Sequence, residues 1–81
     1  MSRNLRILSR KGCHLCDKVI EPLAQMAAAL ATFTVEIIDV DTNEGLAQEY
    51  GLLIPVVLDG DNELFRYGMD TIKLEQWLEN C

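Results

Sequence analysis

Apolar residues in this chain recur first at the spacing of a strand, then at that of a helix. Asn4-Leu5-Arg6-Ile7-Leu8-Ser9 reads as a short strand. Cys16, Val19, Ile20, Leu23, Ala27 and Leu30 then recur at i, i+3, i+4 and i+7, which defines one buried stripe of a helix from about Cys13 to Ala31. Pro22 lies inside that helix and removes one backbone bond, so a kink near Lys18–Val19 is expected. Thr34-Val35-Glu36-Ile37-Ile38-Asp39-Val40 is β-branched and apolar on both faces, the pattern of a strand covered on both sides. Strand, helix and strand at this spacing imply a parallel pair with a right-handed crossover.

The second half changes period more often. Asp41-Thr42-Asn43 offers capping oxygens for a short helix through Tyr50, with Leu46, Ala47 and Tyr50 facing inward and Gly51 as its stop. Leu52-Leu53-Ile54-Pro55-Val56-Val57-Leu58 reads as a strand with a proline near its start, where a missing N–H is tolerated. Asp59-Gly60-Asp61-Asn62 is a turn, and Glu63-Leu64-Phe65-Arg66 returns as its hairpin partner. Gly68 ends that strand, and Asp70 or Thr71 caps a last helix carrying Ile72, Leu74, Trp77 and Leu78. The predicted order is β-α-β-α-β-β-α, without repeats, linkers or low-complexity segments.

Eighty-one residues, 49% of them hydrophobic, suffice for one small core and leave no room for a second, so residues 1–81 are read as a single domain. No run of about 18 apolar residues is present, and no membrane span is expected. Met1-Ser2-Arg3-Asn4 leads directly into the first strand, so the expectation is a cytoplasmic chain without a signal peptide.

The net charge of −6 argues against a nucleic-acid partner, which calls for a basic face. The charge is unevenly spread. Residues 1–18 carry a balance of +4 from Arg3, Arg6, Arg10, Lys11 and Lys18 against Asp17, and the rest carries −10.

The candidate chemistry lies where the first strand gives way to the long helix. Cys13-His14-Leu15-Cys16, reached through Arg10-Lys11-Gly12, is a CxxC pair at a strand-to-helix junction, the pattern of a dithiol redox site. First-turn N–H groups have no helical partner and the helix dipole is positive there, so a sulfur at that point is favoured as thiolate. Cys16 begins the buried stripe and Cys13 precedes it. Cys13 is therefore read as the attacking thiol and Cys16 as the resolving thiol. Arg10 and Lys11 are expected beside the thiolate, lowering its pKa further. Protonated, His14 would do the same; the alternative is a solvent-facing ring with little effect. Cys81 is the odd cysteine, either an exposed thiol or an inert one on the apolar face of the last helix.

In this order of elements the chain resembles the thioredoxin fold, and within it the small glutaredoxin-like proteins. The resemblance rests on Cys13-His14-Leu15-Cys16 after the first strand, on Ile54-Pro55, on the run Asp41 to Gly51 before it, and on the closing hairpin and helix. It implies an α/β, thioredoxin-like fold with a four-stranded mixed sheet flanked by three helices. It further implies that Ile54-Pro55 is a cis-proline element opposite the CxxC, exposing the Ile54 backbone to an extended substrate. Glutathione becomes a candidate co-substrate, with Lys11, Ile54, Gly68 and Asp70 as candidate contacts.

The chain departs from the glutaredoxin pattern at several of these positions. His14 and Leu15 replace the family's proline and tyrosine between the cysteines. Leu53-Ile54-Pro55 stands where glutaredoxins carry Thr-Val-Pro, and Tyr67-Gly68-Met69-Asp70 keeps only the second glycine and the aspartate of Gly-Gly-x-Asp. The expected function is thiol–disulfide exchange with protein or glutathione mixed disulfides, by a monomer with no tightly bound cofactor. A second reading is a metal or iron–sulfur module. Structural zinc takes four ligands and His14 is poorly placed to join both cysteines on one ion, but the resemblance leaves open a cluster shared by two chains with external glutathione, as in some glutaredoxins. A third reading is an adaptor that keeps the fold and uses its acidic surface.

Overall fold

The computed structural model describes residues 3–79. Cys81, the odd cysteine of the sequence, lies outside the described residues. Four strands and three helices follow in the expected order: β1 (Arg3–Ser9), α1 (His14–Leu30), β2 (Phe33–Asp39), α2 (Glu44–Tyr50), β3 (Val56–Asp59), β4 (Asn62–Arg66) and α3 (Thr71–Glu79). The sheet order is β2-β1-β3-β4, with β1 parallel to β2 and antiparallel to β3, and β3 antiparallel to β4.

The period-two pattern of β1 explains its central place. Leu5 and Ile7 enter one core with Val19 and Leu23 of α1, Phe33, Val57, Phe65, and Leu74 and Trp77 of α3. Leu8 points to the opposite face and packs with Val40, Val56 and Leu58 under α2. One strand thus holds helices on both faces of the sheet. Because α2 has only seven residues, part of its face remains an open cavity of about 330 Å³ lined by Arg6, Leu8, Tyr50 and Leu58 among others.

Several boundaries differ from the sequence pattern. β2 is an edge strand, and Ile37 is 54% exposed, so it is not covered on both sides. Its β-branched residues suit a strand whatever its position, and the pattern alone does not say which neighbours it has. β3 begins at Val56, because Gly51–Leu53 form turns and the Ile54–Pro55 bond is cis. Ile72 on α3 and Leu30 at the end of α1 are exposed; both lie at helix ends, beyond the reach of the sheet.

The ends of the helices are set by local chemistry. α1 runs on through Pro22 to Leu30 and stops at Ala31, whose φ of 55° is left-handed without a glycine. Asp41 and Thr42 belong to a 3-10 turn, and Asn43 caps α2 by accepting from the Leu46 N–H at 3.1 Å. Gly51 follows α2 in right-handed geometry (φ −56°), so it is not a left-handed stop. A Cβ there would collide with the Ala47 carbonyl and meet the Arg10 guanidinium. The hairpin turns through Gly60-Asp61, with Gly60 at φ 61°.

Candidate active site

Cys13 is built into the start of α1 rather than merely placed before it. Gly12, at φ 77°, supplies the left-handed step that reverses the chain after β1, and the Cys13 N–H bonds the Arg10 carbonyl at 3.2 Å. Cys13 itself is extended and serves as the N-cap of α1. Its Sγ accepts from the Cys16 N–H at 3.2 Å, taking the place that a serine or aspartate oxygen fills at other helix starts. The same N–H dipoles stabilise negative charge on that sulfur once the pair is reduced.

Cys13 and Cys16 are joined as a disulfide, with Cα atoms 5.2 Å apart, inside the usual span for such a bond. Their environments differ. Cys13 is half-buried, whereas Cys16 is 1% exposed and sits at the head of the apolar stripe of α1. Of the two cysteines, Cys13 alone reaches the surface.

The cis proline stands at the same end of the sheet. The antiparallel register pairs Leu8 with Val56, so Pro55 precedes β3 where β1 departs toward Cys13. Pro55 is buried, and its carbonyl accepts from the Tyr67 N–H at 2.8 Å, tying the end of β4 to the same loop. Ile54 packs against the core beneath α2. Among the described residues, no other backbone group takes up its N–H or C=O.

The remaining sequence candidates gather around this end with different local roles. His14 and Lys11 are exposed. Gly68 is half-buried, with open space where a Cβ would project. Asp70 has a structural duty: its Oδ1 accepts from the Lys73 N–H at 3.0 Å and caps α3. Arg10 does not act as a free charge beside the sulfur. Its Nε bonds Asp41 Oδ2 at 2.9 Å and its Nη1 reaches the Gly51 carbonyl at 3.4 Å. The hydrogen bond that Arg10 donates to Asp41, and then the Asp41 charge, hold the guanidinium protonated above its ordinary range.

Asp17, an acid already visible in the sequence, stands in the first turn of α1. Two features escaped the sequence pattern. Tyr67 adopts φ 69°, a conformation costly for any residue but glycine, and is 53% exposed. Leu52, beside the cis-proline loop, is 94% exposed. Its apolar side chain resembles that of a strand residue, so sequence offered no warning. Among the described residues, no group of three His, Cys, Asp or Glu side chains could hold a metal ion.

Fold and site together define a thioredoxin-fold protein with a dithiol at the head of its first helix. The chain belongs to the glutaredoxin-like domain family (DUF836), which it matches over residues 4–79. It is 38% identical over 80 residues to uncharacterized proteins of Mycobacterium bovis and Mycobacterium tuberculosis, covering 91% of this chain and 81% of each of those. Among solved structures, protein Ne2328 of Nitrosomonas europaea is similar with a TM-score of 0.79 and 32% identity, covering 95% of this chain and 92% of that one. Protein XcR50 of X. campestris is similar with a TM-score of 0.68 and 33% identity, covering 95% and 97%. Among the described residues, no helix is long and apolar enough to cross a membrane.

Proposed function

We propose that this protein is a thiol–disulfide oxidoreductase. The Cys13 thiolate attacks one sulfur of a substrate disulfide, forming a mixed disulfide and releasing the other substrate sulfur as thiolate. Cys16 then gives up its proton and attacks Cys13 Sγ. The Cys13–Cys16 bond forms, and the substrate leaves with two thiols. The pair loses the two electrons that the substrate gains, and a reducing thiol returns the pair to its starting state.

The observation that carries this reading is the asymmetry of the pair: one sulfur half-buried at a helix N-cap, the other buried directly behind it. The open backbone of Ile54 supports an extended substrate laid beside Cys13. The exposed apolar side chains of Leu15, Leu52 and Tyr67 favour a polypeptide disulfide. Glutathione is the second candidate, favoured by the free space at Gly68 and the exposed Lys11 cation, with Ile54 and Asp70 completing the contacts. The protein acts in this reading as a monomer in the cytoplasm, where such pairs cycle instead of persisting as staples, without a resident cofactor or metal.

The test is reduction of insulin and of a glutathione mixed disulfide by wild type, Cys13→Ser and Cys16→Ser. Cys13→Ser is expected to abolish both, and Cys16→Ser to accumulate the mixed disulfide on Cys13. Full activity in Cys13→Ser would refute the assignment. Turnover of the glutathione substrate that survives in Cys16→Ser would mark a single-thiol route.

A further inference from the structure

Arg10 is where the two halves of the candidate site meet. Its carbonyl holds the Cys13 N–H, at 3.2 Å. Its side chain leaves on the opposite side of the chain, toward α2. There Nε bonds Asp41 in the turn after β2, and Nη1 bonds the Gly51 carbonyl, three residues before Ile54. Gly51 is buried, and a Cβ on it would stand 3.2 Å from Arg10 Nη2, so the guanidinium lies close against that backbone. One residue thus ties together the dithiol turn, the β2–α2 turn and the loop that leads to the cis proline.

We infer that Arg10 is a positioning residue: its clasp on Asp41 and Gly51 sets the Ile54–Pro55 loop at a fixed distance from Cys13. It acts on how an extended substrate is aligned, and not through its charge on the sulfur, because that charge is matched by Asp41. An exposed ion pair adds little to global stability, so opening this one leaves the fold standing and changes alignment alone. The inference rests on the exchange reaction proposed above for its kinetic readout, and carries a structural readout that does not.

The variants are Arg10→Met, Arg10→Lys and Asp41→Asn, with wild type and Cys13→Ser beside them. Lysine keeps the charge but, as a single ammonium, cannot reproduce the fork that spans Asp41 and Gly51. Dithiothreitol supplies electrons, insulin serves as the polypeptide disulfide and bis(2-hydroxyethyl) disulfide as the small one. Arg10→Met and Arg10→Lys are both expected to raise KM for insulin on the order of tenfold. Neither is expected to alter kcat/KM for the small disulfide or the thiolate titration of Cys13 in the reduced protein. Amide exchange at Leu53 of the oxidised protein, whose N–H bonds the Tyr50 carbonyl at 2.8 Å, is expected to accelerate in all three variants, with that of α1 unchanged.

An equal loss on both substrates, with the Cys13 titration shifted and Lys restoring activity, would overturn the inference in favour of a charge effect. So would unchanged amide exchange at Leu53. Absence of Cys13-dependent exchange in wild type would remove the proposed function instead, and the amide exchange would still decide whether Arg10 holds the loop.

Discussion

Trp77 donates its indole N–H to Asp59 Oδ2 over 2.7 Å, joining the last helix to the end of β3. The Arg3 guanidinium lies 3.6 Å from the centre of the same indole ring and donates to the Trp77 carbonyl. Phe33 meets the ring edge-on at 5.3 Å. The start of β1, the end of β3 and the C-terminal part of α3 are thereby fastened at the end of the sheet away from the cysteines.

Asp59→Ala removes the carboxylate that accepts from the Trp77 indole N–H and pairs with Arg3. We expect a loss of about 1.5–3 kcal/mol, the range for a hydrogen bond to a charged group. Urea unfolding should show the shift in midpoint, and disulfide exchange at 25 °C should be unchanged. Equal stability of the variant and wild type would show that water replaces the carboxylate at no cost.

Tyr50 links stability to alkaline pH. Burial, and next the neighbouring Glu49, raise its phenol above the ordinary 10.0. The neutral form is therefore favoured by folding. Its contribution is complete below pH 10.0 and declines as pH rises through the higher folded value. Tyr50→Phe should remove this decline, so its stability relative to wild type should improve steadily above pH 10. Parallel stability–pH curves for the two proteins would contradict it.

Ala31 ends α1 in a left-handed conformation that costs a non-glycine residue about 1–2 kcal/mol. Ala31→Gly relieves this strain and returns part of it as added freedom in the unfolded chain. The expected net gain is about 0.5–1 kcal/mol in urea unfolding. A loss of stability would mean that the helix end can take another shape.

Leu52, at 94% exposure, contributes nothing to the core. If polypeptide substrates cover it, Leu52→Ser should forfeit about 1 kcal/mol of binding, roughly a fivefold rise in KM for insulin. Turnover of the glutathione mixed disulfide and thermal stability should stay as in wild type. An equal effect on both substrates would place the side chain in the glutathione path.

The residues that sequence placed well are those governed by near neighbours. The stripe from Cys16 to Leu23 fixed the buried face of α1, and its first member separated a buried cysteine from an accessible one. The turn at Gly60 was equally local. What failed depended on partners distant in the chain. Leu52-Leu53-Ile54 is as apolar as a strand, yet Gly51–Leu53 form turns and β3 begins only at Val56, whereas the cis bond that the resemblance implied at Ile54–Pro55 is present. Whether β2 is central or at an edge depends on where β3 is placed, which Ile37 cannot report. Arg10 is 31 residues from Asp41, so its sequence neighbours pointed to the sulfur while its actual partner lay elsewhere.

β1 has Arg3 fastened to Trp77 and Asp59 at one end and hands the chain to the cysteine turn at the other. Anchorage and chemistry are therefore segregated along a single strand. The loops at Lys11, Leu52–Ile54 and Tyr67–Gly68, and the first residues of α1, His14 and Leu15, can be rewritten without touching the clasp that closes the opposite end. A scaffold of this kind lets the surface around the cysteines change while the far end of the sheet stays fastened.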